Sequence, residues 1–142
     1  MPETATELDP KAISEPYFAA WGVRDVDAIM ELHTEETQFW THAGGEPAKG
    51  REAVRAEFAQ IFARFQDFSF ETHRVLYGPD FWVLDWALIS GETRFDCLDV
   101  VNLSPEGLVA RKDTFIDMVQ LQATMPEVVA EAAEAVAAEK SS

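Results

Sequence analysis

From Phe68 to Leu121 the chain repeats one pattern, β-rich runs of period two separated by tight-turn signals. The runs are FSFETHRVLY (68–77), FWVLDWALIS (81–90), RFDCLDVVNL (94–103) and LVARKDTFIDMVQL (108–121). Gly78-Pro79-Asp80, Gly91-Glu92 and Ser104-Pro105-Glu106-Gly107 separate them. Such spacing predicts four long strands joined as successive antiparallel hairpins. A sheet of that size needs cover for an apolar face, and the residues before it supply helices. Arg51 to Phe65 carries Val54, Phe58, Ile61, Phe62 and Phe65 on one stripe, with charges opposite. Ile13 to Trp21 places Ile13, Tyr17, Phe18, Ala20 and Trp21 at helical spacing, and Gly22 ends or bends that helix. Asp25 is a good cap for a second helix with Val26, Ile29 and Met30 on its apolar face. Thr37–Thr41 reads as a short strand and HAGGEPAKG as a loop. Helices first and strands after them make an α+β domain.

A length of 142 residues suits one domain able to bury its own core. Residues 1–11 read as a flexible polar tail and 12–123 as the domain. Residues 124–142 read as a helical extension, because VVAEAAEAVAAEK follows Pro126. Eleven basic against 26 acidic residues leave a net charge of −15, which repels nucleic acid and anionic lipid surfaces. Cys97 is the only cysteine, so no intrachain disulfide forms, and a lone thiol in an apolar strand is usually a small core residue. MPETATELDPK lacks a signal-peptide pattern, and no apolar run reaches membrane-spanning length. A cytoplasmic, soluble protein is expected.

YFAAWGVRDVDAIMELHTEETQF resembles the opening helices of the SnoaL-like family, within the nuclear transport factor 2-like superfamily. PAKGREAVRAEF resembles that family's loop into its long helix, and HRVLYGPDFWVLDWAL its central hairpin. FDCLDVVNLSPEG through RKDTFIDMVQL resembles its last two strands, so the resemblance spans roughly residues 13 to 122. It implies a cystatin-like curved antiparallel sheet, a cone-shaped α+β barrel packed against N-terminal helices and one long helix, with a pocket open at one end. It also implies a homodimer through the outer sheet face. Known activities of the family include ketosteroid isomerisation, polyketide ring closure, epoxide hydrolysis and dehydration; other members only bind or scaffold.

Each chemistry leaves a different trace here. Tyr17 matches the donor tyrosine of the ketosteroid isomerases, and Asp99 matches their neutral acid. Their base falls at Thr41, which cannot abstract a carbon-bound proton, although His42 beside it could if turned inward. His73 matches the histidine of the dehydratase dyad, whose aspartate falls at Gly22. Asp117 matches one aspartate of the epoxide hydrolases. Asp85 stands in the segment that would hold their arginine and other aspartate, but no arginine is there. Phe39 and Thr41 replace their water-holding pair.

In FWVLDWALIS, period two puts Val83, Asp85, Ala87 and Ile89 on one face and Trp82, Leu84, Trp86 and Leu88 on the other. The resemblance turns the Asp85 face toward the pocket, leaving the tryptophan face as an exposed surface that needs cover. The catalytic candidates are therefore His73 as acid/base, Asp85 or Asp99 to orient it or hold an oxyanion, and Tyr17 as donor. Trp21, Trp40, His42 and Asp117 are candidates for substrate contact. Each has a structural alternative. His73 could be a hydrogen-bonded core histidine, and Asp85 an ion-pair partner of Arg74 or Arg94. Asp99 could satisfy a nearby donor, Asp117 could pair with Arg111 or Lys112 on the surface, and Tyr17 and the tryptophans could simply pack. His33, beside Glu31, Glu35 and Glu36, reads as a surface residue of the second helix. No metal-ligand spacing links His33, His42 and His73, and there is no phosphate loop or nucleophile turn. The expectation is a cofactor-free, metal-free protein binding a hydrophobic small molecule. Its chemistry would be proton transfer of the isomerase, cyclase or dehydratase type. The alternative is a non-catalytic ligand-binding or accessory dimeric domain.

Overall fold

A computed structural model describes residues 7–125. The alanine-rich segment after Pro126 lies outside the described residues. The elements run α1 (Pro10–Gly22), α2 (Val26–Glu31), β1 (His33–His42), β2 (Ala48–Lys49), α3 (Arg51–Arg64), β3 (Ser69–Tyr77), β4 (Phe81–Ser90), β5 (Thr93–Leu103), β6 (Val109–Ile116) and α4 (Met118–Thr124). The six strands form one sheet in the order β2-β1-β6-β5-β4-β3. Strands β3 to β6 are the predicted hairpins, and β1 joins the far side parallel to β6. The result is the curved α+β architecture that the sequence led us to expect.

Local chemistry sets the boundaries. Asp9 caps α1 through the Ala12 amide, and Pro10 starts that helix, where a missing N–H costs nothing. Asp25 caps α2 through the Ala28 amide. Gly50 turns β2 into α3 at φ +90°, a conformation open to glycine without strain. Among the described residues no helix is long and apolar enough to cross a membrane.

Helices α1 and α3 lie across one face of the sheet, and the core sits between. Trp82, Leu84, Trp86 and Leu88 of β4 point into it, with Tyr17, Trp21, Val54 and Phe58 from the helices above. This reverses the face expected from resemblance. The bulky aromatic and aliphatic set is inside, and Asp85 is outside. Burying two tryptophans and two leucines gains several kcal/mol of transfer free energy, roughly 1.5–3 per large side chain, whereas burying Asp85 would cost.

Several boundaries also differ from expectation: α1 starts at Pro10, inside the segment read as a flexible tail, and Ala48–Lys49 pair as β2 inside the segment read as a loop. Strand β1 begins at His33, not Thr37, and His33 is fully buried instead of lying on the surface of α2. Strand β6 stops at Ile116. Asp117 then accepts from the Val119 and Gln120 amides and caps α4, so the run to Leu121 is a strand followed by a helix.

Candidate functional site

The cross-strand register stacks the inward residues into rows. One row runs Leu84, Asp99, Thr114, Thr41 across β4, β5, β6 and β1. The next runs Trp82, Val101, Lys112, Phe39. Together with α1 and α3 these rows enclose a cavity of about 200 Å³. Its wall is mostly aromatic and aliphatic, and Trp21, Trp86, Phe68 and Phe95 are part of it. Arg64, exposed near the end of α3, also lines it.

Asp99 and Lys112 stand inside this apolar wall, 2% and 5% exposed. Asp99 Oδ1 accepts a hydrogen bond from Thr114 Oγ1 at 2.7 Å. Its Oδ2 lies 3.6 Å from Lys112 Nζ, an ion-pair separation longer than a normal hydrogen bond. The ammonium rests 4.0 Å from the centre of a Trp21 ring and 5.2 Å from that of Tyr17. A cation over aromatic faces in a dry site gains from their quadrupoles.

Tyr17 completes the group. Its hydroxyl is 2.9 Å from His33 Nε2, and His33 Nδ1 is 2.8 Å from Thr37 Oγ1. Burial raises the Tyr17 phenol above its ordinary value, against an opposing pull from the Lys112 charge, so the hydroxyl keeps its proton and can donate. Burial pushes His33 down to about 3, helped by the charges of Lys112 and Arg51. The imidazole is therefore neutral, one nitrogen donating and the other accepting within the chain from Tyr17 to Thr37. Cys97 also lines the cavity, but burial first and then Asp99 and Asp96 push its thiol up, which makes it inert.

The residues proposed from sequence thus divide. Tyr17, Asp99 and Trp21 face the cavity. His73, Asp85, Trp40, His42 and Asp117 do not. His73 is on the outer face with Nε2 3.1 Å from Asp96 Oδ1. Asp85 is there too, with Arg74 Nε 3.3 Å from its Oδ2. Both were catalytic candidates, and both instead form charged pairs on the outer face, His73 not as a core histidine, because the alternation of β3 and β4 sends them away from the helices. Trp40 and His42 also point outward, His42 stacked on Phe115 at 4.1 Å and bonded to Asp113 at 2.8 Å. Burial pushes the Asp113 carboxyl up, but hydrogen bonds from Arg111 and His42 outweigh it and hold the group below the usual carboxylate range.

Sequence reading missed Lys112 and His33. In RKDTFI the alternation puts Arg111 and Asp113 on one face and Lys112 and Thr114 on the other, and only the identity of the inner face was lacking. Among the described residues no group of histidine, cysteine and carboxylate side chains could hold a metal ion.

A model of the SnoaL-like domain matches residues 15–112, well over half of the chain. The chain belongs to the SnoaL-like domain family. Solved structures of nuclear transport factor 2-like proteins share this fold. A protein of Jannaschia sp. CCS1 assigned as a SnoaL-like polyketide cyclase superposes with a TM-score of 0.73 at 17% identity, over 88% of this chain and 96% of that one. SalBIII, an epoxide hydrolase/cyclase-like enzyme in pyran ring formation of the polyether salinomycin, gives 0.68 at 25% identity, over 78% and 92%. A protein of Kribbella flavida DSM 17836 assigned as a ketosteroid isomerase gives 0.65 at 19% identity, over 75% and 76%. No protein of curated function matches the sequence.

Proposed function

We propose that this SnoaL-like protein is a cofactor-independent enzyme that moves a proton on a small, mostly apolar carbonyl compound, in an isomerisation, ring closure or dehydration. One observation carries the reading: a carboxylate, an ammonium and a phenol, Asp99, Lys112 and Tyr17, meet in a cavity otherwise walled by aromatic and aliphatic side chains. Asp99 accepts the proton from carbon next to the carbonyl. Charge then builds on the substrate oxygen, where the Lys112 ammonium and the Tyr17 hydroxyl are donors already in place. Thr114 fixes the carboxylate orientation, and the neutral His33 holds the Tyr17 hydroxyl. A volume of about 200 Å³ lies below the usual range for ligand pockets, roughly 300–1,000 Å³, and favours one or two rings over a steroid.

The test is hydrogen exchange next to the carbonyl of 1-indanone and 2-tetralone in deuterated water, followed by NMR, with thermal shift for binding. Wild type should exchange these protons catalytically, and Asp99→Asn should lose roughly 10²–10⁴-fold. Bound ketones that exchange only at the buffer rate would make the protein a binding domain. If no apolar carbonyl compound shifts its melting, the small-molecule reading fails.

The outer sheet face supports a second proposal, a homodimer. Leu98 and Phe115 are neighbours there, 37% and 43% exposed, beside the Trp40 and His42 rings. Apolar rings in one patch favour burial against a second copy. Sedimentation should show a dimer for wild type and a monomer for Phe115→Asp; a monomeric wild type rejects the proposal.

A further inference from the structure

We propose that Lys112 is a covalent site for aldehydes and ketones, forming an imine through its side-chain nitrogen. The inference rests on the carbonyl reading of the cavity and goes beyond it, because proton transfer alone needs only the lysine's charge.

The first observation is the choice of cation. A carboxylate that needs only a partner is served best by arginine, whose planar fork grips it with two bonds and never loses its proton. The same strand shows that arrangement one residue away. Arg111 holds Asp113 through Nε at 2.8 Å and a second nitrogen at 3.1 Å. On the inner face the chain instead places a lysine, and its Nζ stands 3.6 Å from Asp99 without closing to a hydrogen bond. Lysine is the basic side chain able to release a proton and act as a nucleophile.

The second observation is the setting. Lys112 is on the middle of β6, paired with Val101 and Phe39 on either side, so its stem is fixed. Rings of Trp21, Tyr17 and Phe58 surround Nζ at 4.0, 5.2 and 5.6 Å. Dry surroundings of this kind preserve an imine against water. Lys11 and Lys49, by contrast, are exposed.

The third observation is a proton acceptor within reach. Asp99 takes a proton from the Lys112 ammonium, and the freed amine adds to the carbonyl carbon. The substrate oxygen takes that proton back from Asp99, giving a carbinolamine. That hydroxyl leaves as water with one more proton from nitrogen, delivered through Asp99, and the nitrogen lone pair forms the C=N bond. The result is a protonated imine. One ammonium and one carbonyl give one iminium and one water, so charge and atoms balance without an added reagent. Once formed, the iminium draws electrons from the neighbouring C–H bond more strongly than the carbonyl did, with Asp99 in place to accept that proton.

The experiment uses the full-length protein with benzaldehyde plus cyanoborohydride, and separately with 1-phenyl-1,3-butanedione, whose enaminone with an amine absorbs in the near ultraviolet. Intact mass and peptide mapping should show one adduct per chain on Lys112, formed well before any on Lys11 or Lys49. Lys112→Arg, which keeps the charge, should give no adduct there. Mapping of wild type reads the site even if the variant folds poorly. Labelling of the other amines, Lys11, Lys49, Lys140 or the N-terminus, with Lys112 unmodified would overturn the proposal. Exchange of ketone protons by both wild type and Lys112→Arg, without an adduct, would also overturn it while leaving the proton-transfer reading intact. If neither adduct, exchange nor ketone binding occurs, both readings fall together.

Discussion

The two faces of the sheet carry the same kinds of charged pair in opposite surroundings. Outside, Arg74–Asp85, His73–Asp96 and Arg94–Glu71 lie in water, where solvent screens them and long side chains lose freedom by pairing. Inside, Lys112–Asp99 is cut off from water by tryptophan, tyrosine and phenylalanine rings. Residue type alone would rank the outer His73–Asp96 pair as the more catalytic, since it resembles an acid–base dyad. Environment reverses that order. A charge acts strongly on a substrate where water does not compete for it, and the inner pair lines the cavity walled by aromatic rings, whereas Asp85 and Asp96 border an open, solvent-facing hollow on the outer face.

The contrast can be broken by experiment. The largest effect expected is on turnover: Asp99→Asn loses roughly 10²–10⁴-fold, while His73→Ala and Asp85→Asn keep wild-type exchange rates. Loss of activity in either outer variant would undo the division between faces.

Stability should follow the same line. Lys112→Met strands the Asp99 charge in an apolar wall and should cost about 3–5 kcal/mol in urea unfolding. Adding Asp99→Leu to it should recover much of that loss, because a buried pair can be replaced by apolar groups. A single variant as mild as a surface change would mean that water reaches the pair.

The buried His33 sharpens the comparison through pH. Its folded value near 3 lies below the ordinary 6.5, so the unfolded chain binds a proton that the folded one refuses. Its contribution is therefore complete above pH 6.5 and is lost as pH falls from 6.5 toward 3, at up to about 1.4 kcal/mol per pH unit. Unfolding of His33→Gln across that window should be flatter than that of wild type. An unchanged slope would place the sensitivity elsewhere.

The smallest effect belongs to the outer pairs. Arg74→Ala should cost under about 1 kcal/mol and less still in high salt. A larger cost at Arg74 would mean that the outer face is covered, as a dimer would cover it.

Much of this was legible in the residues. Four period-two runs with three turn signals fixed β3 to β6, and Asp25 and the stripe from Val54 to Phe65 located α2 and α3. Three residues singled out from the sequence, Tyr17, Asp99 and Trp21, line the cavity. Alternation separated Asp85 from Trp82 and Trp86 but could not say which set faces in, since a strand apolar on both sides reads the same from either. Lys112 was hidden by the same ambiguity, between Arg111 and Asp113 in a charged triplet that looks solvated. His33 was hidden by its acidic neighbours, although in β1 Glu35 and Glu36 are exposed while its own side chain is buried.

Local order, turn position and the existence of two faces follow from short-range sterics and side-chain type, so the sequence by itself determined them. The choice of inner face was a global comparison. Helices α1 and α3 could cover only one side, and the side that buried two tryptophans was the one covered. That packing, which no single strand specifies, put a lysine and an aspartate together in the dry interior and left the histidine-bearing pairs in water.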